Sequence, residues 1–144
     1  MRVLLDTNVL SACIASAARP TSTPPTQIWH RWHEKQFTLL TSEHVLAELD
    51  RVFEDPWFIE RIPLQTLARQ KLNVRRNAET VRVIVDVRGV ARHPEDDLVL
   101  SAAVSGNADY LVTGDADFRR VGEYQGVKLR TPSEFLRELS DHTD

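Results

Sequence analysis

Short apolar runs with almost no polar residue inside them recur along the chain: "RVLLD" (2–6), "FTLLT" (37–41), "VRVIVDV" (81–87), "DYLVT" (109–113) and "VKLRT" (127–131). A half-exposed strand alternates apolar with polar residues, whereas a strand covered on both faces need not. Only "VRVIVDV" mixes in charge, which suits an edge strand or an interface. Helical patterns fall between the runs, near 8–16, 25–36, 43–54, 63–78, 95–105 and 132–139. Ser42 fits the N-cap of the third, and Pro132 the first turn of the last. Strands that alternate with helices predict a parallel sheet of about five strands between two helical layers, an α/β/α sandwich. With 144 residues, 42% of them hydrophobic, one core is enough, so residues 1–144 are expected to form a single domain. The proline-rich "ARPTSTPPT" (18–26) reads as a loop and "EDPWFIERIP" (54–63) as an irregular joint.

Composition excludes several classes. No apolar run approaches the roughly 20 residues of a membrane helix, and no secretory leader pattern opens the chain. Cys13, alone of its kind, allows no internal disulfide and sits in an apolar stretch, as a core residue rather than a nucleophile. The expected location is the cytoplasm. A net charge of −3 argues against a purely electrostatic nucleic-acid binder, but not against an enzyme whose acids are neutralised by metal.

Acids stand at the ends of the apolar runs. Asp6 and Asp115 follow two predicted strands, and if those strands are parallel they share the sheet edge at which α/β proteins bind ligands. Glu48 lies at the border of the apolar stripe Val45, Leu46, Leu49, Val52, Phe53 on its helix. Asp97 opens the almost wholly apolar helix "DLVLSAAVS", next to Glu95 and Asp96. Each acid alone has a plainer role as cap, dipole partner or solvated edge. Together they carry a cost. Two carboxylates ~4 Å apart repel by about 4 kcal/mol at an effective dielectric of ~20. A convergent set needs protons or a cation, and an all-oxygen set suits Mg²⁺ or Mn²⁺, the ions of phosphoryl chemistry.

At these residues the chain resembles the PIN-domain family of metal-dependent ribonucleases, and within it the bacterial VapC-like toxins of toxin–antitoxin pairs. "VLLDTNVLSAC" resembles the opening strand and helix, and "FTLLTSEHVLAELDRVFEDP" the glutamate-bearing helix. "HPEDDLVLSAAVSGNADYLVTGDADF" resembles the C-terminal signature and "RTPSEFL" the usual ending. The resemblance implies catalytic metal ligands at Asp6, Glu48, Asp97 and Asp115, with Asp117 as a possible fifth. It implies supporting polar roles for Asn8, Ser42 and Thr113. Asp96 competes with Asp97 for the ligand position, and the D-x-x-L-x-A pattern favours Asp97. The implied activity is Mg²⁺- or Mn²⁺-dependent endonucleolytic cleavage of single-stranded RNA, with an antitoxin protein as partner and a homodimer by analogy.

Other features are less directive. Arg51, Arg69, Lys71, Arg75 and Arg76 form the densest basic region, either a solvated face or a track for an RNA backbone. In "WHRWH" (29–33), His30 and His33 have a ligand spacing but more often such a pair is wet, and Trp29 and Trp32 read as core. Two further functions compete. D-T-N after a strand superficially resembles the aspartyl nucleophile of haloacid-dehalogenase-type phosphatases, but the second acid expected there is Asn8. A non-catalytic PIN-like module binding RNA or protein is the other, and it usually lacks acids that this chain keeps.

Overall fold

The computed structural model describes residues 1–18 and 22–143, and it is a mixed α/β fold. Strand β1 (Arg2–Leu5) runs into helix α1 (Thr7–Ala18), followed by α2 (Pro24–His33) and β2 (Thr38–Thr41). Then come α3 (Glu43–Phe53), α4 (Pro56–Arg61), α5 (Leu64–Asn77) and β3 (Glu79–Thr80). The remainder is α6 (Pro94–Ser105), β4 (Tyr110–Val112), α7 (Ala116–Arg119), β5 (Glu123–Tyr124), β6 (Val127–Arg130) and α8 (Pro132–Thr143). The loop predicted over 18–26 falls partly outside the described residues, and α2 already begins at Pro24.

The strand order is β3-β2-β1-β4-β6-β5. β1 pairs in parallel with β2 on one side and β4 on the other. The chain steps outward from β1 to β3, then crosses back to β4, which makes the gap between β1 and β4 the switch point where such sheets open a ligand crevice. Val3, Leu4, Leu39, Leu40, Leu111 and Val112 are buried in the middle layer, as expected of strands without polar alternation. Trp29 and Trp32 are also buried, with rings 5.1 Å apart, edge to face. His33 donates from Nδ1 to the Trp29 carbonyl at 2.8 Å. Burial pushes the Cys13 thiol up to about 12, which keeps it unreactive.

The structure departs from the sequence reading at three elements. Residues 81–87 are not a strand. β3 ends at Thr80, and only the Val81 amide continues the ladder, donating to the Thr41 carbonyl at 2.8 Å. Beyond Thr41 the neighbouring strand has stopped, so the segment pairs with α6 instead. Ser105 Oγ accepts from the Ile84 and Val85 amides at 3.0 and 2.9 Å, and Ser101 Oγ from Val87 at 2.9 Å. The sheet is also not purely parallel: β5 and β6 form an antiparallel hairpin. Its two-residue turn puts Gln125 at φ 47° and Gly126 at φ 87°, the positive pair that a tight hairpin turn requires. The joint at 54–63 contains α4, started by Asp55, whose carboxylate accepts from the Trp57 amide at 2.8 Å.

Ser42 links the sheet to α3. It is buried at the end of β2, and its hydroxyl accepts from the Val45 amide at 3.2 Å. Ser42→Ala is expected to lower stability by about 1 kcal/mol, read as a shift in urea midpoint. An unchanged midpoint would show that the cap contributes nothing there.

Candidate metal centre

Asp6 follows β1 directly. Its amide donates to the Val112 carbonyl of β4 at 2.9 Å, and its carbonyl accepts from Leu10, so the strand turns into α1 without a loop. Both carboxylate oxygens are held: Oδ1 by the Thr7 amide at 2.7 Å and Oδ2 by the Thr113 hydroxyl at 2.9 Å. Thr113, fully buried at the end of β4, also accepts from the Asp115 amide at 3.1 Å. One hydroxyl therefore ties the two strand-end acids together across the switch point. Asn8 is exposed, and what steadies Asp6 is the Thr7 amide, which no side-chain pattern in the sequence could indicate.

Burial raises the Asp6 carboxyl above its ordinary range, the hydrogen bonds from Thr113 and Thr7 oppose this, and the charges of Asp115 and Glu48 raise it further. Asp96 is pushed up to about 6, first by burial and next by the charges of Asp6 and Asp115. Asp6 thus lies within electrostatic reach of Glu48, Asp96 and Asp115, and Asp96 also within reach of Asp115. Glu48, half-buried on α3, meets Arg51 at 3.1 Å. Asp115 accepts from the Asp117 and Phe118 amides at 2.9 and 3.4 Å and so starts α7.

Asp97 and its neighbour Asp96 differ in what they touch. Asp97 is buried, and its carboxylate accepts from the amides of Gly89, Val90 and Ala91 at 2.9, 3.3 and 2.7 Å. It holds the loop before α6, while Asp96 is the one whose carboxyl feels the charges of Asp6 and Asp115. Asp117 is tied to Arg92 at 3.3 Å and to Arg120 at 3.8 Å. Arg51 pairs with Glu48, Lys71 with Asp50 and Arg75 with Glu43, while Arg69 reaches Thr66 and Arg76 is exposed on α5. His44 and Glu95, which the sequence patterns did not single out as ligands, flank Glu48.

The crowding has a measurable sign. An unfolded aspartate loses its proton near about 3.9, so between about pH 4 and about 6 the folded, metal-free protein keeps a proton on Asp96 that the unfolded chain has lost. That contribution to stability is full below about pH 4 and fades as the pH climbs to about 6. In EDTA, Asp96→Asn is therefore expected to gain melting temperature over the wild type progressively across this window. Parallel melting curves would show the crowding to be absent.

The structure is a doubly wound α/β sheet with Asp6 and Asp115 at the ends of two neighbouring strands, β1 and β4, beside its switch point. The family model described as PIN domain matches residues 2–117, and the chain belongs to the PIN-domain family, whose members are nucleases. Among solved structures it is similar to a chain in the crystal structure of VapBC2 from Rickettsia felis bound to a DNA fragment from their promoter. Identity is 21%, the TM-score 0.58, and the match covers 91% of this chain and 98% of that one. At that identity the likeness speaks for the fold. No curated protein sequence matches. Among the described residues no helix is long and apolar enough to cross a membrane.

Proposed function

We propose that this chain is a divalent-metal-dependent endoribonuclease that cuts single-stranded RNA in the cytoplasm, and the toxin of a toxin–antitoxin pair. The observation that carries the reading is that Asp6 and Asp115 end the neighbouring strands β1 and β4 and are tied through Thr113, with the charge of Glu48 acting on Asp6 and those of Asp6 and Asp115 acting on Asp96. Their donors are all carboxylate oxygens, which fits Mg²⁺ or Mn²⁺. Asp96 takes the ligand role expected of Asp97, and Asp117 joins only where Arg92 and Arg120 release it.

When bound, the ion would activate water and stabilise the leaving oxygen of the phosphodiester. The protein's part is positional. Thr113 and the Thr7 amide fix Asp6, and the α7 amides fix Asp115, so that the two strand-end carboxylates are held in place before an ion arrives. Two observations support a protein partner: the named neighbour is a VapBC complex, and Leu64 and Leu72 lie exposed along a groove of about 390 Å³ between α3 and α5. A homodimer belongs to the same reading.

Purified protein incubated with a labelled mixed-sequence single-stranded RNA tests it. Cleavage that requires Mg²⁺ or Mn²⁺ and stops with EDTA is expected. RNA that stays intact with a confirmed bound ion would count against this substrate class.

A further inference from the structure

His44 and Glu48 lie one turn apart on α3 and so project from the same helix face. Glu95 comes from the first turn of α6, which packs against α3. One ligand atom from each of the three lies within 4.8 Å of the others, and His44 Nε2 is 3.3 Å from Glu95 Oε2. Ligand atoms bound to one cation at about 2.1 Å sit about 3 Å apart when adjacent and about 4.2 Å apart when opposite. The spacing therefore needs only a small contraction to close around an ion. The imidazole is 23% exposed, open to an ion yet fixed by its helix. Arg51 competes for Glu48 Oε1 at 3.1 Å, but its side chain is 67% exposed, and such pairs are weak.

We infer that His44, Glu48 and Glu95 form a divalent-cation position of their own, distinguished from the proposed carboxylate site by an imidazole nitrogen ligand. The inference rests on the metal-centre reading above, because Glu48 is common to both groups. Its chemical consequence is selectivity. Mg²⁺ binds through oxygen and keeps its waters, whereas Mn²⁺ and the later transition ions accept imidazole. This position would take Mn²⁺ over Mg²⁺, while the carboxylate cluster takes either.

The test is pulsed EPR on metal-free protein loaded with Mn²⁺, with affinities from free-ion titration. Wild type is expected to show a ¹⁴N coupling on bound Mn²⁺. The coupling should vanish in His44→Gln and persist in His93→Gln, which alters the histidine beside the Asp96 helix start. Roughly tenfold weaker Mn²⁺ binding, with Mg²⁺ binding changed less than about twofold, is expected for both His44→Gln and Glu95→Gln. Mn²⁺ held with no nitrogen coupling, or a coupling that survives His44→Gln, overturns the inference and leaves the carboxylate cluster standing. No Mn²⁺ binding by the wild type would overturn the metal-centre reading as well.

Discussion

Asp6→Asn is expected to reduce RNA cleavage by about 10³-fold while leaving the metal-free protein at least as stable as the wild type. The two directions follow from one change. Asn keeps the size of Asp, and its amide can still meet the Thr7 N–H and the Thr113 hydroxyl, which now hold the carboxylate at 2.7 and 2.9 Å. No cavity opens. What disappears is a charge that Asp115 and Glu48 repel, so the fold loses strain and the cation loses a ligand. Several kcal/mol of transition-state stabilisation from a bound metal, at about 1.4 kcal/mol per factor of ten, gives the thousandfold figure. Single-turnover cleavage and melting curves, with EDTA and with Mn²⁺, read both effects. Full activity would remove Asp6 from the metal centre. A marked loss of stability would make it a structural residue instead.

The second large effect separates neighbours in sequence. Asp97→Ala is expected to cost about 3 kcal/mol, because three amides lose a charged acceptor and the loop that carries them loses its anchor. For a protein of this size that is a fall of about 10 °C in melting temperature. Asp96→Asn should behave in the opposite way: cleavage drops by orders of magnitude, and the fold holds. Melting and cleavage measured on both variants decide the assignment. If Asp97→Ala melts like the wild type and Asp96→Asn cuts normally, the two roles are reversed.

That pair also shows where the sequence stops being readable. Asp6, Glu48 and Asp115 stand out in the sequence because each interrupts an apolar pattern at a strand end or stripe border, and fold class followed from unbroken apolar runs. Asp96 and Asp97 share the first turn of one helix, and helical periodicity leaves both plausible. What separates them is the loop at 89–91, which arrives from outside the helix and is held by Asp97. Residues 81–87 have every local property of a strand, yet a strand needs a partner, and β2 ends at Thr41. The β5–β6 turn carries Gln125 at a position where Asn or Asp would have been a clearer signal. His44 and Glu48 have readable spacing, but Glu95 lies 47 positions beyond Glu48, and only packing of α6 on α3 brings it near.

The outer strands of the sheet, β3 and β5, are each two residues long. A long open strand edge invites another chain to add to it, the first step in aggregation and fibril growth. The segment best suited to that hazard is "VRVIVDV", with Val83 and Ile84 exposed, and it directly follows the edge strand. Hydroxyls of Ser101 and Ser105 already occupy the amides of Ile84, Val85 and Val87, so a second molecule finds those donors taken. Two serines on a neighbouring helix thereby take three backbone donors of this segment out of reach of strand addition.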